Sequence, residues 1–202
     1  MIQNKKWYTV VELMVGILIF TIWFLSAYLL VYSAINSSTK SKNEIIASNI
    51  AREQIELVKN IRDTNWLRNN NFDNLSDFSG SWYLGDYKYY IIENDYNIDS
   101  PIKIKNLNSS FNWTKNDVLN SSELRLCIDD MWRYIHPNNP SDCHKRTTFY
   151  SFLKVDKLIT KNTITNMPII VTWAYRIESI VINTEKWYNE FNINTIITDW
   201  KK

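Results

Sequence analysis

Between Leu13 and Tyr32 the chain runs for twenty residues without a charge, LMVGILIFTIWFLSAYLLVY. At about 1.5 Å per residue, a helix of that length matches a hydrocarbon core of roughly 30 Å. The run predicts a transmembrane helix over 13–32. It is longer than a signal-peptide apolar region, and no A-x-A site follows it. Lys5 and Lys6 precede it, which suits an N-terminus on the cytoplasmic side. Lys40, Lys42 and Arg52 follow it and weaken that asymmetry, but long downstream domains cross largely regardless of such charges. The expectation is a single-pass protein of the cytoplasmic membrane with its C-terminal bulk outside.

The helix is not expected to end at the membrane. No Gly or Pro occurs between Gly16 and Gly80. Ile46, Ile50, Leu57 and Ile61, with Ala47, Ala51, Ile55 and Val58 beside them, repeat with a 3.6-residue period. Glu44, Arg52, Glu53, Glu56 and Lys59 fill the other faces. Such a stripe suits a coiled-coil stalk or the core helix of a following domain. It falls short of the sustained heptads of a coiled coil, which favours the core helix. The result is one helix over 8–63, apolar all round and then amphipathic.

Residues 64–202 read as a β-rich globular domain. Candidate strands are Tyr87–Glu93, Glu123–Ile128, Phe149–Val155, Ile169–Tyr175 and Ile177–Ile182. Period-two alternation would place Ile169, Val171, Trp173 and Tyr175 on one face. Asn94–Asn120 is rich in Asn, Ser and Lys and reads as loop, with one short strand near Ile102–Lys105. A long helix leading into a small antiparallel sheet is an α+β fold.

Little in the chain points to catalysis. The formal net charge is +2, which implies no nucleic-acid-binding field. There is no Gly-rich phosphate loop, G-x-S-x-G or H-E-x-x-H. His136, Cys143, His144, Asp129 and Asp130 have no compact metal-site spacing, so a solvated loop is expected and no cofactor or metal is called for. Cys127 and Cys143 enclose a loop that a disulfide outside the cytoplasm would stabilise by roughly 3 kcal/mol; two thiols are the alternative. Sequons at Asn36, Asn74, Asn108, Asn112 and Asn120 are what an Asn-rich chain produces by chance.

Glu12 is the exception to a bland surface. It stands at the start of the apolar run, where a carboxylate is costly unless it is solvated at the headgroups or has a partner. Its surroundings, KKWYTVVELMVGILIF, resemble the N-terminus of type IV prepilins and type II secretion pseudopilins. Lys5 and Lys6 match the basic leader, Tyr8 the aromatic first mature residue, Thr9 the second, and Glu12 the glutamate at the fifth. The resemblance covers roughly residues 5–32. It implies a leader over 1–7, cleavage between Trp7 and Tyr8 by a prepilin peptidase, and N-methylation of Tyr8. It also implies partners: the membrane, other copies and related subunits, and a pilus or secretion machinery. The Tyr8 amine and Glu12 would then lie four residues apart on one helix side, a counter-charge for the subunit's own amine or a neighbour's. An uncleaved, membrane-anchored surface protein with a β-rich binding domain is the other reading.

The family cleaves after glycine, and here that position is Trp7. The chain has 3 Gly and 9 Trp, where ordinary usage gives roughly 14 Gly. Some bacterial lineages decode UGA as glycine and others as tryptophan, so a gene of the first kind read by the second code loses Gly and gains Trp. Trp82, Trp132 and Trp187 stand in turn-like contexts where a left-handed glycine would be at home, whereas Trp66 and Trp173 read as core residues. An AT-rich genome explains scarce Gly but not abundant Trp.

Overall fold

The structure, a computed structural model, describes residues 5–75, 83–86, 88–94, 102–107, 111, 114–137, 143–161, 168–185 and 188–199, without the side chains of 5–9, 161 and 172. Two compact units divide the chain, Met1–Glu44 and Ile45–Lys202. Helix α1 runs over Lys5–Leu67, 63 residues, starting before and ending after the span its periodicity predicts. Its end is set by Asn69, whose φ of +59° is left-handed. Asn70 N–H reaches back to Asn65 O at 2.8 Å and Asn69 N–H to Trp66 O at 3.1 Å. These paired bonds close a Schellman motif in which Asn does what Gly usually does.

In the second unit, α1 lies on an antiparallel sheet, giving the expected α+β arrangement. The strands are β1 (Tyr89–Asn94), β2 (Ile102–Asn106), β3 (Arg125–Ile128), β4 (Tyr134–Ile135), β5 (Lys145–Lys161), β6 (Pro168–Asn183) and β7 (Asn189–Thr198). A short helix α2, Lys115–Asn120, starts from a capping box between Thr114 and Asp117. It falls in the stretch expected to be loop, because polar residues at caps resemble polar residues in loops. The predicted strands 169–175 and 177–182 are one strand, β6.

β6 pairs with β5 along one edge and with β7 along the other. The far edge of β5 is shared by β3, through Arg125↔Tyr150 to Ile128↔Lys145, and by β1, through Leu153 and Lys154. β2 extends β1, and β4 extends β3.

The stripe on α1 is core, as expected. Ala47, Ala51, Ile55, Val58 and Ile61 are buried while Arg52 and Glu56 are exposed. Ile55, Val58 and Ile61 join Tyr90, Leu153 and Ile177 in one cluster; Ala47, Ile50 and Ala51 join Leu126, Phe149 and Val181 in another. On the other sheet face Phe152, Tyr150 and Ile180 pack with Val118 of α2 and Leu124. Gln54 sits within the helix stripe, 3% exposed. Its Nε2 donates to Ser151 Oγ at 3.2 Å, and its Oε1 accepts from Ser179 Oγ at 2.6 Å.

A bulge corrects the predicted face of β6. Lys157 opposes Tyr175 but Leu158 opposes Val171, so Thr172, Trp173 and Ala174 are extra. Consecutive residues of β5 face opposite ways, so Val171 and Tyr175 do too. Tyr175 is buried and packs on Phe72 at 5.7 Å.

Gly85 lies against that ring. Its φ is +99°, and a Cβ there would stand 2.5 Å from Tyr175 Cε1. Gly85→Ala should lower stability by about 2–4 kcal/mol, from backbone strain plus displacement of a packed ring. Denaturant unfolding of the full chain in micelles, followed by near-ultraviolet circular dichroism, would show the midpoint fall. An unchanged midpoint would mean that the turn relaxes freely.

Candidate functional site

From Val10 to Tyr32 the side chains of α1 are exposed in the chain by itself, and the large apolar ones are each at least 51% exposed. A soluble monomer rarely presents so much contiguous apolar surface. Two hydroxyls are turned back on the helix. Thr21 Oγ1 donates to Ile17 O at 2.7 Å, and Ser26 Oγ to Ile22 O at 2.8 Å. Hydroxyls bonded to the preceding turn are satisfied without water. The helix is long and apolar enough to cross a membrane.

Glu12 is exposed on this segment. With Leu13, Gly16, Ile17 and Phe20 it lines a shallow notch. A Cβ added at Gly16 meets nothing within 4 Å, so bare backbone lies one turn from the carboxylate. The notch begins a ridge unnoticed in the sequence. Glu12, Gly16, Phe20, Phe24, Tyr28 and Tyr32 recur every four residues. Phe20 stacks on Phe24 with centroids 6.2 Å apart, and Tyr28 on Tyr32 at 6.5 Å. Such a four-residue row is a ridge that packs into the groove of another helix. The spacing was legible; a uniformly apolar run hid it. Backbone at Trp7 and Tyr8 is helical, so Tyr8 stands one turn before Glu12 on the same side, while both aromatic side chains lie outside the described residues.

The remaining candidates are dispersed. Cys127, buried, and Cys143, half-buried, are free cysteines here. Cys127 opposes Arg146 in the β3–β5 ladder, three residues along from Cys143. Asp129 folds back on its own loop, accepting from Met131 N–H at 2.9 Å and from Arg133 N–H at 2.8 Å. Burial pushes its carboxyl up, but Arg133's hydrogen bonds and charge outweigh this and hold it below the usual range. His144 Nδ1 lies 3.5 Å from Asp130, while His136 turns instead to Ser151.

The tryptophans depart most from expectation. Trp66 is 51% exposed and Trp173 47%, so neither is the core residue it was expected to be. Trp66 is in the last turn of α1 and Trp173 is in the β6 bulge, both on the surface. Trp23 and Trp132 are still more exposed. Trp132 has φ +63°. Its N–H closes a turn on Asp129 O at 3.1 Å, and Asp129 N–H bonds Arg133 O at 3.1 Å. A left-handed residue directly after such a hairpin turn is a glycine position. Trp82 and Trp187, like Asn108 and Asn112, lie outside the described residues.

No protein-family model, curated protein or solved structure matches the chain.

Trp132→Gly should therefore raise stability by about 1 kcal/mol, whereas Trp132→Ala should not, because only Gly escapes the left-handed penalty. If UGA is glycine in the natural host, tryptic peptides of the native protein will carry a Gly mass at Trp132. A full tryptophan mass at 132 would reject recoding there.

Proposed function

We propose that the chain is a pilin-like structural subunit that inserts in a membrane and polymerises into a type IV pilus or secretion pseudopilus. The observation that carries this reading is the exposed apolar helix with one carboxylate at its edge, a single turn after Tyr8. An apolar helix needs lipid or other helices around it. Moving from lipid into a filament core exchanges one for the other at little hydrophobic cost, so polar pairing and close packing decide the register. Glu12 supplies the charge, the Tyr8 amine freed by cleavage supplies its partner, and the Gly16 notch and aromatic ridge supply the packing surface. The role is assembly rather than catalysis, with a prepilin peptidase and the assembly machinery as partners. Lys5 and Lys6 support an orientation with the N-terminus inside and the β-rich unit outside. Trp7 favours a second reading, an uncleaved anchored surface protein, because an indole at the scissile bond obstructs a peptidase that accepts glycine.

Protease added to intact spheroplasts should digest residues 64–202 and spare the segment through Tyr32. Protection of the β-rich unit would reverse the topology. Glu12→Gln should insert normally, since an amide is cheaper to bury than a carboxylate. It should lower sheared-filament yield about tenfold, the equivalent of ~1.4 kcal/mol of lost pairing. Glu12→Asp should fall between. Both are to be made with Trp7 and with Trp7→Gly. Wild-type yield from Glu12→Gln would reduce the glutamate to a solvated interfacial residue. Filaments from the Glu12 form only with Trp7→Gly would tie assembly to cleavage.

A further inference from the structure

The shared edge of β5 makes a fork. β3 pairs as far as Tyr150 and β1 begins at Leu153, so the ladder is interrupted between them. β1–β2 and β3–β4 leave that point as two prongs. His136, just past β4, plugs the root. Its Nε2 lies 3.1 Å from both Ser151 O and Ser151 Oγ. Its backbone N–H donates to Glu93 of the other prong at 2.7 Å. A cavity of about 790 Å³ opens between the prongs, within the range of small-molecule sites.

Two observations indicate what it would take. The first is an unsatisfied group at the root. Nδ1 of this 7%-exposed ring has no hydrogen-bond partner among the described residues, and it lies 3.6 Å from Glu93 Oε2. A polar ligand atom reaching that corner would meet a buried ring nitrogen and a carboxylate side by side. The second is the charge of the walls. Lys103, Lys105, Arg125 and Arg146 face the cavity against Glu93 and Glu123. Lys105 and Glu123, half exposed, pair across the prongs at 2.9 Å, a contact that a ligand displaces at little cost. Arg125 Nε is held by Thr147 O at 2.7 Å, which presents the rest of its planar fork for bidentate contact with a carboxylate or phosphate.

We propose that the fork binds a small hydroxylated organic anion, of the class of uronic acids and sugar phosphates. The anionic group meets the Arg125 and Arg146 guanidiniums. The hydroxyls meet Ser121 and Ser122 and donate to Glu93, directly or through water, beside the unpartnered His136 Nδ1. The site is independent of filament assembly.

Full-length protein in zwitterionic micelles is titrated by calorimetry with galacturonate, glucose 6-phosphate, galactose and inorganic phosphate. At least one of the acidic sugars should bind at least tenfold tighter than galactose or phosphate, and which one does so identifies the anion. Arg146→Gln, a change at an exposed position, should weaken that binding at least tenfold with an unchanged melting temperature. Glu93→Gln should weaken the acidic sugar and strengthen inorganic phosphate, by removing a donor's partner and a repelling charge. Equal affinity for galactose and galacturonate, phosphate binding as tight as the sugar phosphate, unaltered affinity in Arg146→Gln, or no binding by any probe would each overturn the proposal.

Discussion

The buried amide of Gln54 is the contact on which the second unit depends. Ser151 and Ser179 are diagonal neighbours on the inner sheet face, since Ser151 opposes Val181 and Leu153 opposes Ser179. One side chain from the helix satisfies both hydroxyls and is satisfied by them. Any slide or rotation of the helix would strand polar groups in a dry core, at about 1–3 kcal/mol each. Apolar contacts such as Ile55 and Val58 supply bulk affinity but tolerate small shifts; the amide does not. Ser151 is also the root of the fork, so helix register and fork geometry meet at one residue.

Charge is sparing inside this unit and is placed where it orders a connection. Asp129 closes the β3–β4 turn through its own backbone and Arg133. On the sheet, Lys154 stands 3.0 Å from Asp156 and 3.3 Å from its cross-strand partner Glu178. Burial lowers the Lys154 ammonium's proton affinity, but the two carboxylates outweigh it and raise the affinity above normal. The apolar segment has the opposite economy, with the Thr21 and Ser26 hydroxyls bonded to their own helix and a single carboxylate at Glu12.

Sequence reading succeeded where one period governs a long stretch. The apolar run, the stripe from Ile46 to Ile61 and the cores of β1, β5 and β6 all carry such a period. It failed where a short-range device overrides it. β7, NEFNINTIIT, alternates half-buried Phe191, Ile193 and Thr195 with exposed Asn192, Asn194 and Ile196, yet it was not among the candidate strands, because its asparagines mask the alternation. The helix stop at Asn69 was missed for want of a glycine. The bulge at Trp173 inverted a face that simple alternation had assigned. Of the candidate sites, Glu12 was visible because it is a lone charge in an apolar run. The fork was not, because Glu93 of β1, His136 just past β4 and Arg146 of β5 are far apart in sequence and meet only through the split edge of β5.

The Gln54 bridge also sets how the unit answers mechanical load. The repeat of an α-helix is about 5.4 Å along its axis, and no smaller slip brings an equivalent side chain opposite Ser151 and Ser179. The residues a turn away, Ile50 and Val58, could not replace the amide. A pull along α1 therefore meets no graded series of intermediate positions. The joint behaves as a pawl rather than a bearing: it holds without creep until it lets go at once.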